Sequence, residues 1–234
     1  SLPTPPVPIT PAWPRMIALR KEKEINGMYL ISHPLDEFKH EIKYFVKNEL
    51  TDLANIENMI GQEVTFASIV TAVQHRVAQN GNGWGVFKIE DYSGDYEFRL
   101  FKESYLKFKH MLDLEQLIFI KARVQERVRM NGERKEKEVN LDIKEIMLLS
   151  SLFTEANATA EIKVSLEHVT DFLVEELQAA LKKHKGKSKL KVKVMYASES
   201  LEVGLLPKGT KVNICKEFVD DIFKIEHLNL NVNQ

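Results

Sequence analysis

The sequence predicts a mixed fold: an N-terminal helical and linker segment, an all-β five-stranded barrel, and a small α+β domain at the C-terminal end. Three observations predict it. The chain starts in a proline-rich stretch that gives way to helical periodicity. From Gly61 the apolar period changes to two over five successive runs, with one helical stretch between the third and fourth. From about Ser151, strand and helix patterns alternate within a short span. The expected boundaries are 1–60, 61–150 and 151–234.

The first fourteen residues, SLPTPPVPITPAWP, hold six prolines. Proline fixes φ and removes donors, so this stretch reads as an extended arm, the tail of a linker from a longer chain. Met16, Leu19, Lys23 and Ile25 give a partial helical period, closed near Asn26-Gly27. Pro34 is expected to stop the next turn. DEFKHEIKYFVKNEL then reads as a helix with Phe38, Ile42, Phe45 and Val46 on one face.

EVTFASIVTAV, WGVFKIED and YEFRLF read as three strands, and KESYLKFKHML as a short helix anchored by Tyr105, Leu106 and Met111. LIFIKARVQERV and VNLDIKEIMLL supply two more strands. Three strands, a helix and two strands over about ninety residues is the order of the Greek-key barrel called the OB-fold. Beyond it, EIKVSLE is a strand, and Thr170 caps the helix DFLVEELQAALKKHK, with Gly186 expected to end it. KLKVKVMYA and ESLEVGLLP alternate like a hairpin, and CKEFVDDIFK closes the chain as a helix.

The totals exclude several classes. There are 33 basic and 34 acidic residues, for a net charge of −1. No global field draws the chain to nucleic acid or an anionic membrane, so such binding must come from local clusters. With Cys215 the single cysteine, an internal disulfide and a cysteine-rich zinc site are excluded. No apolar run reaches the length of a membrane span. A cytoplasmic protein with no membrane partner is expected.

No constellation carries catalysis, and no metal or cofactor is expected. GNGWG has Val86 where the dinucleotide fingerprint needs its last glycine, and a strand follows it instead of a helix. DYSGD has Gly94 in the wrong place for a calcium loop, so Asp91, Ser93 and Gly94 read as turn formers. Asp220 and Asp221 are neighbours on a helix and point about 100° apart. The histidines lack metal spacing.

What remains is a surface. With Phe87, Ile89, Tyr96, Phe98 and Leu100 inward, alternation turns Trp84, Val86, Lys88, Glu97, Arg99 and Phe101 outward on one sheet face. A base can stack on Trp84 while Lys88 and Arg99 meet phosphates. Arg76 at the end of the first strand adds charge. So do Arg127, Arg129, Arg134, Lys135 and Lys137 around Asn131-Gly132, read as the loop joining the fourth and fifth strands. Yet residues 61–150 hold 14 basic and 14 acidic residues, and Glu133, Glu136 and Glu138 interleave with the loop cations. A pure protein-interaction scaffold therefore stands as the alternative to a single-strand binder. Lys182 to Lys193 form the densest basic run, read as a helix end and the wet face of a strand, or as a second contact.

Several stretches together resemble one family. RKEKEINGMYLISHPLDEF is similar to the segment just before the OB domain in bacterial replicative DNA polymerase III alpha subunits of the DnaE type, at Glu22, Lys23, Glu24, Gly27, Tyr29, Leu30, His33, Pro34 and Leu35. The barrel matches at Gly61, Val70, Asp91, Gly94, Glu97 and Phe101, and LEHVTDFLVEELQAALKKHKG resembles the C-terminal domain. Many members have glycine where this chain has Ser32. The resemblance implies a role in chromosomal replication, with the polymerising aspartates in an upstream palm domain absent from this sequence. It implies an OB domain that meets single-stranded template DNA and a tail domain that docks the tau subunit of the clamp loader. The beta clamp is contacted, in that family, through a peptide upstream; no intact copy is present here.

Overall fold

The computed structural model describes residues 11–79, 81–131, 134–155, 158–196, 201–205, 207 and 209–233. The first ten residues of the proline-rich arm lie outside the described residues.

Helix α1 (Arg15–Asn26) ends at Gly27, whose φ of 78° is left-handed, and whose N–H bonds back to the Lys23 carbonyl. Only glycine takes that conformation without cost. Pro34 does not stop a turn. It starts one, because the first N–H of a helix has no partner to lose. His33 caps the 3-10 turn Pro34–Phe38: its Nδ1 accepts from the Leu35 N–H, and its own N–H donates to Asp36 Oδ2. The helix expected over 36–50 is shorter. After the 3-10 turn comes α2 (Lys39–Phe45), and Val46 is already extended. A second 3-10 stretch covers Leu50–Met59.

The barrel strands are β1 (Glu63–Val77), β2 (Gly83–Glu90), β3 (Asp95–Phe101), β4 (Leu117–Asn131) and β5 (Arg134–Leu148), with α3 (Lys102–Phe108) between β3 and β4. The sheet order is β3-β2-β1-β4-β5, all antiparallel. β1 is long because it serves two partners. Glu63–Ile69 pair with β4 and Ile69–Val77 with β2, and the register shifts between Val70 and Ala72. Such an irregularity bends a strand, which lets the sheet curl. Phe66, Phe87, Ile89, Ile118 and Ile120 fill the interior, and α3 closes it with Tyr105 and Phe108. Each such side chain contributes about 1.5–3 kcal/mol on full burial.

The first half of β1 is buried on both sides. Its back, with Phe119 and Met147, joins a second core that contains Leu35, Phe45 and Phe153 and continues into Ile162, Leu190 and Phe218. Tyr44 Oη donates to the Leu230 carbonyl at 3.0 Å, and His40 Nε2 lies 2.9 Å from Asp220 Oδ1. Residues 35–46 thus bridge the barrel and the last eighty residues.

After a short α4 (Leu152–Glu155), β6 (Thr159–Ser165), α5 (Asp171–Lys183) and β7 (Lys185–Tyr196) make a parallel crossover. Then come β8 (Leu201–Leu205), β9 (Lys211–Val212), α6 (Lys216–Lys224) and β10 (Asn229–Asn233). The sheet order is β10-β6-β7-β8, with β9 also on β7. Thr170 Oγ1 accepts from the Leu173 N–H at 3.2 Å, as a cap should. Gly186 does not end α5, which stops at Lys183 with His184 as its cap. Gly186 lies inside β7, where a Cβ would sit 2.6 Å from the Val212 carbonyl carbon. β9 and β10 are additions that the hydrophobic period did not mark.

Candidate nucleic-acid interface

The outward face of β1, β2 and β3 is organised in rows fixed by register. Arg76 lies opposite Trp84, and Trp84 opposite Phe101. Gln74, Val86 and Arg99 form the next row, then Ala72, Lys88 and Glu97. Alternate residues of a strand share a face, so all nine project from the same side. Phe87, Ile89, Phe98 and Leu100 are buried on the other. Trp84, Lys88, Arg99 and Phe101 are therefore brought together as expected.

Arg76 lies near the end of the first strand, as expected. Its guanidinium carbon is 5.3 Å from the centre of the Trp84 ring, and one nitrogen donates to Gln74 Oε1 at 2.8 Å. Trp84 also stacks on Phe101, centroids 5.6 Å apart and planes 17° apart. The indole sits between a cation and a second ring, half-buried, while Phe101 is 53% exposed. The ring that the row offers to solvent is the phenyl.

Lys88 and Arg99 are not free for phosphate. Lys88 Nζ is 3.1 Å from Asp95 Oδ2, and Arg99 is 3.4 Å from Glu97 Oε1. Both pairs are solvent-exposed, so each holds by no more than about 1 kcal/mol and a phosphate can compete for the cation.

Arg127, Arg129, Arg134 and Lys135 are not in a loop. β4 runs to Asn131 and β5 starts at Arg134, so these residues lie in a long β-hairpin, with Arg127 opposite Glu138 and Arg129 opposite Glu136. Arg127 is exposed. The side chains of Arg129, Arg134, Lys135 and Lys137 lie outside the described residues.

The glycines of GNGWG have a packing reason. A Cβ at Gly83 would lie 2.6 Å from the Tyr105 ring, and one at Gly85 2.6 Å from the Phe87 ring. These two positions face inward, and their bareness lets the barrel close around Tyr105 with Trp84 held outside. Asp91 is the buried organiser of the adjoining turn. Its Oδ1 accepts from Ser93 N–H, Ser93 Oγ and Gly94 N–H, and its Oδ2 from Leu50 N–H at 2.8 Å. The turn residues were readable in the sequence; the tie to Leu50 was not.

Among the described residues no group of three His, Cys, Asp or Glu is placed to hold a metal ion. Asp220 and Asp221 diverge: Asp220 meets His40, and Asp221 meets Lys183, His184 and Lys224. Cys215 Sγ lies 3.9 Å from His184 Nδ1, whose Nε2 is 2.9 Å from Asp221 Oδ2. Burial pushes the Cys215 thiol up, opposite to what an activated thiolate needs. No described helix is long and apolar enough to cross a membrane.

Residues 64–149 match the OB-fold nucleic acid binding domain, and residues 160–233 match the C-terminal domain of the DNA polymerase III alpha subunit. A DNA polymerase III subunit alpha from Pasteurella multocida is 27% identical over 81% of this chain and 16% of its own length. One from Saccharopolyspora erythraea is 29% identical over 78% of this chain and 15% of its own. Most of the chain thus resembles DNA polymerase III alpha subunits, and its last domain matches their C-terminal domain. It spans about one-sixth of the length of these relatives. Among solved structures, a small single-stranded DNA-binding protein from Streptomyces coelicolor is similar over 37% of this chain and 92% of its own, at 12% identity and a TM-score of 0.22. In the alpha-family frame, Glu97 and Phe101, two positions that carried the resemblance, belong to the outward face of β3, and Asp91 and Gly94 to the turn that holds it.

Proposed function

We propose that this chain is a polymerase III alpha segment that holds single-stranded template DNA on the outward face of β1–β3, without polymerising activity of its own. A base stacks on the exposed Phe101 ring and extends the Arg76–Trp84–Phe101 row, while Arg99 and Lys88 exchange their carboxylates for phosphates. Stacking on an aromatic ring is sequence-tolerant and contributes about 1–3 kcal/mol per base. The observation that carries the reading is the exposed ring backed by a stacked indole and an arginine. The hairpin cations Arg127, Arg129, Arg134 and Lys135 extend the track; the neutral charge balance makes binding weak, and its affinity falls with salt in proportion to the phosphates met.

The tail unit, residues 151–234, serves on this reading as the contact to the tau subunit of the clamp loader. The beta clamp is met by a region outside this sequence, and the whole protein is a DNA-directed DNA polymerase. Support for these parts comes from the family match over residues 160–233.

A specific observation favours a second reading. The ion pairs Lys88–Asp95 and Arg99–Glu97 neutralise two of the three cations of the platform and leave Arg76, which suits a protein-interaction scaffold. Photocrosslinking to oligothymidine separates the two. Template binding predicts crosslinks to the peptides containing Trp84 and Phe101; absence of crosslinks to these peptides at low salt assigns the face to protein.

A further inference from the structure

The densest cation run of the sequence folds into two clefts, one on either side of Gly186. The first, of about 570 Å³, is lined by Lys182, Lys185, Lys211 and Thr210. The second, of about 600 Å³, is lined by Lys187, Lys189, Thr154, Thr159, Ser188 and Asn213. Neither has a carboxylate among its described lining residues, in a chain with more acidic than basic residues. The contrast along the same run is sharp. Lys183 is taken by Asp221, and Lys193 by Glu161 and Glu202. Lys182, Lys185, Lys187, Lys189 and Lys211 are exposed and form no ion pair among the described residues.

The positions are held by backbone. β9 approaches Gly186 so closely that the Gly186 Cα admits no side chain, and the Asn213 N–H bonds to the His184 carbonyl at 2.8 Å. Strand pairing puts Lys211 opposite Lys189, and Lys189 opposite Thr159. Like charges opposite each other are destabilising in a sheet. Alternate residues of a strand are about 6.6 Å apart, close to the repeat of successive phosphates in an extended single strand.

We propose that the two clefts beside Gly186 are a contact for the phosphate backbone of nucleic acid, separate from the barrel face. The chemistry favours phosphate over an acidic protein. Protein interfaces are anchored by aromatic residues and arginine and are depleted in lysine, and these clefts have lysines and hydroxyls with neither anchor. Backbone contact needs only cations and hydrogen-bond donors and reads no sequence.

The test is a salt titration of labelled oligothymidine against the 234-residue chain by anisotropy. The comparison is with a variant in which Lys182, Lys185, Lys187, Lys189 and Lys211 are all replaced by glutamine, and with Phe101→Ala as the barrel-face variant. Each phosphate contact contributes about 0.7 to the slope of log affinity against log salt for a single strand. The glutamine variant is expected to lose about 2 or more of that slope, with Phe101→Ala retaining it. An unchanged slope overturns the proposal and leaves the barrel face untouched. So does polyglutamate that displaces the oligonucleotide at equal charge, which assigns the clefts to an acidic polypeptide. Reversion of Lys187 and Lys189 alone to lysine should restore part of the slope; no restoration also counts against the site.

Discussion

Phe101 stacks on Trp84 across β3 and β2, with ring centroids 5.6 Å apart and planes inclined by 17°. The phenyl ring is the outer member of the pair, and the indole is held from behind by Arg76. A base therefore has one open ring to meet. Phe101→Ala should weaken oligothymidine binding by about 1–3 kcal/mol, roughly 5- to 150-fold. Anisotropy at fixed low salt checks this, with urea unfolding to show that the fold is kept.

The acids beside the cations are the second lever. Asp95 holds Lys88 and Glu97 holds Arg99. Asp95→Asn with Glu97→Gln should strengthen single-strand binding by about two- to fivefold at low salt, because each exposed pair is weak and its loss frees a cation. Arg99→Ala should weaken it. A scaffold face predicts no gain from removing the acids.

The barrel glycines make a prediction about stability. Gly85→Ala puts a methyl group 2.6 Å from the Phe87 ring, which is fully buried and has no room to yield. A loss of about 1–3 kcal/mol is expected from such overpacking. Gly94→Ala meets only Thr51 at 3.4 Å and serves as the control with little change. Urea denaturation of both variants measures the difference.

His33 gives the chain a pH dependence. Its Nδ1 accepts from the Leu35 N–H, its ring lies between Tyr29 and Tyr92, and its Nε2 is buried without a partner in the structure. Burial holds its pKa below the ordinary 6.5, against the pull of Glu90 and Asp36. The folded state therefore prefers the neutral ring. Below about pH 6.5 the unfolded chain binds the proton more readily, so this contribution is present above that pH and is lost as pH falls. The urea midpoint should drop between about pH 7.5 and about pH 5.5. His33→Asn, which keeps a capping oxygen and cannot titrate, should flatten the drop.

The strands of the barrel were legible because each alternates around one dry face, and the same alternation correctly put Trp84, Lys88, Arg99 and Phe101 on one side. It does not reveal who neutralises whom. Asp95 and Glu97 look like ordinary strand residues until register and rotamer bring them to Lys88 and Arg99. The Arg127–Lys137 stretch read as a loop because Asn131-Gly132 is a turn signal and few apolar residues flank it. The ladder there joins opposite charges, Arg127 with Glu138 and Arg129 with Glu136, a pattern that hydrophobic period misses. Gly186 followed a helix and so looked like its cap; the backbone that needs its bareness is Val212 and Asn213, far along the chain. The ties from Tyr44 to Leu230 and from His40 to Asp220 are equally non-local.

The most direct measurement is the fluorescence of Trp84 itself. Trp13 is 62% exposed in the N-terminal segment, so Trp13→Phe isolates the indole of the platform. Titrated with oligothymidine at about 20 mM salt, where screening is weak, this chain should show a saturable change in emission that Phe101→Ala diminishes and added salt reverses. An emission unchanged at saturating oligonucleotide, or one changed equally with and without the Phe101 ring, contradicts the account.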